Sequence, residues 1–510
     1  MEPTREQTYQ RRIADLEGQL AQRDRRIADL EGQLVQRDRR IAELEGEVTD
    51  LKARIAVFVQ ENARFAEQVK KLSEQVAKLS KNSSNSSKPP SSDIVKPPKP
   101  PLSDGRRKRR IGGQPGHLRH ERQVFSAEQI DEVRPYTLDC CPDCGGKLKR
   151  LTNQARVIQQ VEIVCQPVEI VEHCAEGYWC PHCHKTHEAP LPVEVVKGGL
   201  IGPHLTALVA YLKGVCHASF STIRKFLRDV VGVTVSRGQL VKLIQKVSTA
   251  LGGAYQALLD ALPVQRLLNV DETGHKDNGK LWWTWCFRAE LFTFFKIEPS
   301  RGSEVLLKVL GEEFNGVLGC DYFAAYRKYM ADCSIVVQFC LAHLIRDVKF
   351  LLTLPEEATR NYGERLLDRL RQLFRVIHRR AEMTPEQFQR ALERSRKAVL
   401  KVGRRAPKHR AAQNLAKRFR KHGAAYFQFI TTPGAEPTNN LAEQAIRFVV
   451  LDRRVTQGTR SEAGRQWNQR IWTTIATLTQ QGRSILTYLR DALHAYFNNQ
   501  PAPALLPSGP

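Results

Sequence analysis

The first eighty residues constrain the fold most. Three segments, RRIADLEGQLAQRD, RRIADLEGQLVQRD and RRIAELEGEV, follow one another at a period of fourteen residues, which is two heptads. With Ile13 at position a, the a series runs Ile13, Leu20, Ile27, Leu34, Ile41, Val48, Ile55, Asn62, Val69, Val76. The d series runs Leu16, Arg23, Leu30, Arg37, Leu44, Leu51, Phe58, Phe65, Leu72, Leu79. Over residues 11–80 this predicts a coiled coil roughly 100 Å long, at about 1.5 Å per residue. A helix lying on a globular neighbour would need a broader apolar stripe. Asn62 at an a position costs stability but fixes register and favours a parallel dimer. Arg23 and Arg37 at d, with Gly18, Gly32 and Gly46, weaken the distal half. The segment is an oligomerisation device, and the expected partner is a second copy, giving a homodimer or higher.

Helix propensity stops at NSSNSSKPPSSDIVKPPKPPLSDGRRKRR, so residues 81–123 read as a flexible basic linker. The linker contains Arg106, Arg107, Lys108, Arg109 and Arg110, a run suited to phosphate contact. The turn-rich GGQPGH that follows yields no chemistry. The whole chain carries a net charge of +25, from 79 Lys+Arg against 54 Asp+Glu. Such an excess favours a polyanionic partner, nucleic acid first and a membrane surface next. No run of about eighteen apolar residues appears, and the N-terminus lacks a secretory core, so a cytoplasmic chain without a membrane span is expected. Its 12 cysteines then read as thiols or metal ligands.

Residues 124–195 contain Cys141-Pro-Asp-Cys144 and Cys180-Pro-His-Cys183, joined by a Val- and Ile-rich stretch. Paired CxxC knuckles predict a ribbon in which four thiolates close a tetrahedral Zn²⁺ site. Cys140, His182, His184 and His187 are rival ligands, and Cys165 and Cys174 read as core or spare. A closed four-cysteine site leaves the zinc a structural role. Residues 200–262 read as all-helical. Within them, STIRKFLRDVVGVTVSRGQLVKLIQKV offers a helix, a turn at Gly232 and a second helix from near Ser236. This is either a helix-turn-helix that enters DNA or a helical pair packed on its neighbours.

From residue 263 to 450 the pattern changes to short apolar strands. VQRLLNVDET ends at Asp271, LWWTWCFRAE and LFTFFKIEP form an antiparallel pair, a helix follows near Ser303–Leu310, and NGVLGCDYFAAY ends its strand at Asp321. A meander followed by alternating strands and helices predicts a mixed α/β sheet compatible with a ribonuclease-H-like core. Residues 355–428 form a helical insertion, and residues 451–510 a C-terminal helical segment. Asp271 and Asp321 are expected at strand ends, where open sheets bind ligands. Pro437-Thr438-Asn439-Asn440 reads as a helix start that places Glu443 in the first turn. Three such carboxylates can hold two divalent cations about 3.5–4 Å apart for in-line phosphodiester displacement. Glu272, Asp332, Asp347 and Glu436 are rivals that spacing alone leaves open.

NSSKPPSSD, GGQPGH, CPDCGG and CPHC, VDETG, GCDYFAAY, FCLAHLIRD, PTNNLAEQAIR and SEAGRQWNQRI occur in an order that resembles the insertion sequence 66 family of bacterial DDE transposases. The resemblance implies that the family's two aspartates and glutamate are Asp271, Asp321 and Glu443. It also implies cleavage at transposon ends dependent on Mg²⁺ (or Mn²⁺), attack of the freed 3′ hydroxyl on target DNA, and a helix-turn-helix before the core. Small accessory proteins of the same element and a place at the bacterial nucleoid follow from it as well. The fourteen-residue repeats are not matched to the family pattern.

Within the insertion, Lys401 to His422 holds nine Lys/Arg and no acid, so Arg404, Arg405 and Lys408 are expected on a DNA path. Arg447, one turn after Glu443, either meets a phosphate or pairs with that glutamate. Cys340 and His343 form a CxxH without a second half and read as structural, although His343 and Arg346 are near enough in sequence to touch DNA. The competing function is a regulator that kept its DNA-binding surfaces and lost catalysis.

Overall fold

The computed structural model describes residues 5–82, 85–86, 125–133, 143, 147, 168–180 and 184–506. The chain forms two units, one of Met1–Ile94, Arg346–Gln372 and Lys401–Lys417, the other of Val95–Ile345, Leu373–Leu400 and Arg418–Pro510. Most of the linker, including Arg106 to Arg110, lies outside the described residues, as do Cys141, Cys144 and Cys183.

The first unit begins with α1 (Arg5–Leu79), one continuous helix. At 1.5 Å per residue it spans about 110 Å. Its seam stays open to solvent: Ile13, Leu16, Ile27, Leu30, Leu44, Phe58 and Leu72 are all exposed, and Ala77 is the helix's one buried residue. Near its end, Lys81 Nζ lies 3.8 Å over the Phe350 ring, and Glu74 meets His409 at 3.6 Å. In the same unit the Tyr362 hydroxyl donates to Gly403 O at 2.7 Å.

In the second unit β1 (Gly177–Cys180) and β2 (Lys185–Glu188) pair antiparallel. The helices α2 (Val193–Gly198), α3 (Pro203–Gly214), α4 (Phe220–Phe226), α5 (Arg237–Ala250) and α6 (Gly252–Asp260) follow. Val193–Gly214 is apolar enough in composition to cross a membrane. It is nevertheless two helices, interrupted at Gly199 with φ +64°, and α3 buries Thr206, Ala207, Val209 and Ala210. The turn expected at Gly232 is present with φ +77°, and the Ser236 hydroxyl accepts from Gln239 N at 3.0 Å to start α5. α5 buries Leu240, Leu243, Ile244 and Val247, and it exposes Arg237, Val241, Lys242 and Gln245.

The sheet is built from β3 (Leu267–Asp277), β4 (Lys280–Arg288), β5 (Thr293–Glu298), β6 (Val317–Cys320) and β7 (Val336–Phe339). Their order is β5-β4-β3-β6-β7. β4 runs antiparallel to both β3 and β5, whereas β6 is parallel to both β3 and β7. Connecting β5 to β6 is α7 (Ser303–Leu310), and α8 (Ala324–Asp332) connects β6 to β7. After β7 come α9 (Leu341–Leu351) and the insertion helices α10 (Glu357–His378), α11 (Pro385–Gly403) and α12 (Arg410–His422). The chain closes with α13 (Asn440–Thr456), α14 (Glu462–Gln480) and α15 (Ile485–Phe497).

The edge strand β5 shows how sequence period and packing cooperate. Its outward N–H groups would be open to pairing with another chain. Gln469, Thr473 and Thr477, spaced four apart and so on one face of α14, accept from Ile297 N, Phe295 N and Thr293 N at 2.8, 3.0 and 3.2 Å. Phe295 and Trp472 fill the buried space behind this polar ladder. α14 therefore belongs to the core of the sheet, and the boundary expected at residue 450 falls inside α13.

Candidate active site

A strand sends alternate side chains to opposite faces of its sheet. In β3 this divides the polar residues into two sets with different partners. The odd-numbered set meets the segment from Asn439 to Arg465. Asn269 Nδ2 donates to Asn439 Oδ1 at 2.9 Å, and Arg453 donates to Thr273 Oγ1 at 3.1 Å. His275 and Asp277 share the Thr459 hydroxyl at 2.9 and 2.6 Å, and Arg465 pairs with Asp277. Asp271 stands in this row between Asn269 and Thr273.

The other face commits Glu272 elsewhere. Arg301 Nε donates to it at 2.8 Å, the Tyr326 hydroxyl donates to its second oxygen, and Arg301 stacks 3.8 Å over Phe323. Glu272 is thus buried and held by Arg301 and Tyr326 on the face away from Asp271's row. Asp332 and Glu436 are exposed.

Asp271 is not at the end of its strand, contrary to the expectation from sequence. β3 continues to Asp277 because the antiparallel hairpin with β4 supplies its hydrogen bonds, while the parallel ladder with β6 stops at Asn269↔Gly319. Asp271 and Asp321 each stand two residues beyond that last pair. They therefore lie level with each other on chain segments that enter from neighbouring strands about 4.8 Å apart. Asp321 follows β6 as expected, and its Oδ1 accepts from Phe323 N at 2.8 Å, shaping the turn into α8.

Glu443 reaches this place through the segment before α13. Leu341 N donates to Pro437 O at 2.9 Å, Asn439 N donates to Cys340 Sγ at 3.1 Å, and Asn439 Nδ2 donates to Val270 O at 2.8 Å. Asn439 thus spends its buried side chain on β3, not on capping its own helix. Glu443 lies in the first turn of α13, as the sequence indicates, where unpaired backbone N–H groups favour a carboxylate.

The electrostatics tie the three acids together. Asp271 retains some solvent contact, yet burial holds its carboxyl well above the usual range. Glu272, Asp321 and Glu443 add repulsion in that order, against which Glu272 N–H donates to Oδ1 at 2.9 Å. Carboxylate oxygens that repel one another are a donor set suited to a hard divalent cation.

A second donor set meets at Glu443. Cys340 Sγ, a ring nitrogen of His343 and a Glu443 oxygen all lie within 4.8 Å of one another, and His343 Nδ1 is 3.6 Å from Glu443 Oε1. Burial pushes the Cys340 thiol up to about 11, while the Asn439 N–H pulls it down. The CxxH that looks incomplete in sequence is thus joined by a third potential donor from α13.

His275 is buried, and desolvation together with Arg453 pushes its pKa down to about 4. The unfolded chain therefore takes up this proton first, so stability falls as pH drops from about 6.5 to about 4, by about 3 kcal/mol. Urea midpoints across that interval should fall more steeply for the native chain than for His275→Gln. Equal slopes would contradict the assignment.

Among the remaining candidates, Arg447 is exposed on α13, and Arg404, Arg405 and Lys408 are exposed in the first unit. Of Cys180 only the backbone, in β1, is described. Sequence reasoning missed Asn269, His275 and Arg453 and took Asn439 only for a helix start. The signal for the strand residues was available, since NVDETGHKD from Asn269 places a polar residue at every second position.

A family model described as Transposase IS66 family matches residues 198–467, which include the whole sheet, α13 and the start of α14. A second, described as Family of unknown function (DUF6444), matches residues 32–123. No curated protein matches the chain.

Proposed function

The chain belongs to the IS66 family of transposases, and from that premise we propose that it binds the ends of an insertion sequence and cuts and joins DNA at Asp271, Asp321 and Glu443. The observation that carries this reading is the register that sets Asp271 and Asp321 each two residues beyond the last β3–β6 pair, with Asn439 tying the start of the helix that bears Glu443 to Val270 beside Asp271. Bound Mg²⁺ (or Mn²⁺) would supply charge stabilisation to the attacking and leaving oxygens of an in-line displacement. The protein's part is to hold the three carboxylates in fixed positions, with Asn439 fixing the helix that carries the third. A sheet in which only β4 runs against the other strands supports a ribonuclease-H-like core.

The remaining parts serve DNA. Exposed Arg404, Arg405, Lys408 and Arg447, with Arg106 to Arg110 of the linker, contact phosphates. The helices α4 and α5 act as a helix-turn-helix through the face carrying Arg237, Lys242 and Gln245. Cys141, Cys144, Cys180 and Cys183 close a structural zinc ribbon within residues 124–195. Two DNA ends require at least two subunits, and the open seam of α1 pairs two copies. Deleting residues 1–80 should roughly halve the assembly mass in light scattering, and an unchanged mass would remove α1 as the dimer contact.

The test is strand cleavage and joining on the element's own terminal repeats with Mg²⁺. Activity in the native chain, lost in Asp271→Asn, Asp321→Asn and Glu443→Gln, supports the proposal. DNA binding without cleavage in the native chain would make it a regulator.

A further inference from the structure

Cys340, His343 and Glu443 combine a thiol, an imidazole and a carboxylate, a donor set unlike that of the neighbouring acids. Mg²⁺ takes oxygen ligands and keeps water, whereas sulfur and nitrogen donors select zinc and similar borderline ions. Three elements deliver the donors: Cys340 follows β7, His343 lies in the first turn of α9, and Glu443 lies in the first turn of α13. Ligands about a tetrahedral zinc sit at roughly 2.0–2.3 Å from the ion. Donors already within 4.8 Å of one another, two of them 3.6 Å apart, need only small side-chain movements to reach that geometry. The Asn439 N–H, 3.1 Å from Cys340 Sγ, is the kind of supporting donor that orients a metal-bound sulfur.

We propose that Cys340, His343 and Glu443 form a second metal site, selective for Zn²⁺ or a similar transition-metal ion and separate from the four-cysteine ribbon. The fourth position is left to water or a phosphate oxygen. Occupancy draws Glu443 toward Cys340 and His343 and away from the Asp271–Asp321 pair. Zinc at this site therefore opposes Mg²⁺-supported cleavage, a consequence that rests on the catalytic role proposed for Glu443.

Binding and consequence are tested separately. Full-length protein is stripped of metal and dialysed against buffered Zn²⁺. The native chain should retain one more zinc than Cys340→Ser, because ribbon zinc is common to both. His343→Ala should weaken that zinc by at least ~100-fold, the upper end of what losing even a supporting group costs. Co²⁺ substitution should show a thiolate charge-transfer band that is smaller in Cys340→Ser. Serine can accept the Asn439 N–H, and a matching urea midpoint would establish that the variant is folded. Equal zinc content and equal cobalt spectra in native and Cys340→Ser chains overturn the site. In the cleavage assay, added Zn²⁺ should inhibit the native chain and spare Cys340→Ser; equal inhibition overturns the regulatory consequence. A native chain that binds the extra zinc but cleaves nothing in Mg²⁺ leaves the site standing and refutes the catalytic reading instead.

Discussion

Asp271→Asn should abolish strand cleavage while leaving a folded, and in the absence of metal more stable, protein. The functional loss follows from the coordination argument. A metal-supported displacement draws several kcal/mol from charge stabilisation, so removing a ligand costs about 10³-fold or more in rate. The stability gain follows from the environment of Asp271. Burial and then Glu272, Asp321 and Glu443 raise its pKa, so the folded chain keeps this proton to a higher pH than the unfolded chain does. Stability contributed by the protonated form is therefore lost as pH rises from the ordinary carboxylate range through the raised value. Asparagine removes that dependence. Added Mg²⁺ should restore the native chain instead, by about 2.7 kcal/mol when its concentration is a hundred times the dissociation constant. Thermal melts with and without Mg²⁺, beside a cleavage assay, check both parts. A destabilised Asp271→Asn, or one that still cleaves at the native rate, would sink the assignment.

The second large effect is expected at Asn439, which touches no substrate in this scheme. Its side chain donates to O of buried Val270 and accepts from half-buried Asn269, and its backbone N–H serves Cys340. Asn439→Ala leaves the buried Val270 carbonyl without this partner, at about 1–3 kcal/mol, and deprives the half-buried Asn269 amide of its acceptor at a smaller cost. The urea midpoint should fall with an unchanged slope. Asn439 also sets where α13 begins and hence where Glu443 stands. A displacement of about 1 Å at a reacting centre can cost 10²-fold. Cleavage by the folded variant should therefore fall and require more Mg²⁺ for half-maximal rate. A loss of stability with an unchanged Mg²⁺ requirement would reduce Asn439 to a structural residue.

What could be read from sequence followed the range of the interactions involved. Asp321 after a short strand and Glu443 in a first turn are set by neighbouring residues, and both were legible. Asp271 was misplaced at a strand end because the length of β3 is decided by its antiparallel partner. The alternation in NVDETGHKD is compatible with a strand, but only its pairing with Trp282 and Trp283 across the hairpin carries the strand past Asp271. Cys340 and His343 looked incomplete because the carboxylate that stands beside them belongs to a helix that arrives only after the whole insertion. The heptads predicted a coiled coil over residues 11–80, and its helical part was legible as α1, since a seam of period 3.5 needs no tertiary partner to be recognised. The polar ladder from α14 to β5 was illegible for the opposite reason: threonines on a helix look like solvent-facing residues until the strand they serve is known.

α13 is fastened to the sheet near both of its ends. Asn439 fixes the first, and the second is fixed where Gly458, at φ +96°, lets Thr459 N donate to Lys276 O at 2.9 Å and Thr459 O accept from Asn278 N at 2.8 Å. A Cβ at Gly458 would come within 2.1 Å of Lys276 O, so the second fastening tolerates no side chain. Both pins lie beyond α12, the last helix of the insertion. The insertion, residues 355–428, is therefore free to lengthen, shorten or acquire new cargo without moving Glu443. An evolving lineage could remodel the insertion while α13 keeps its register on the sheet.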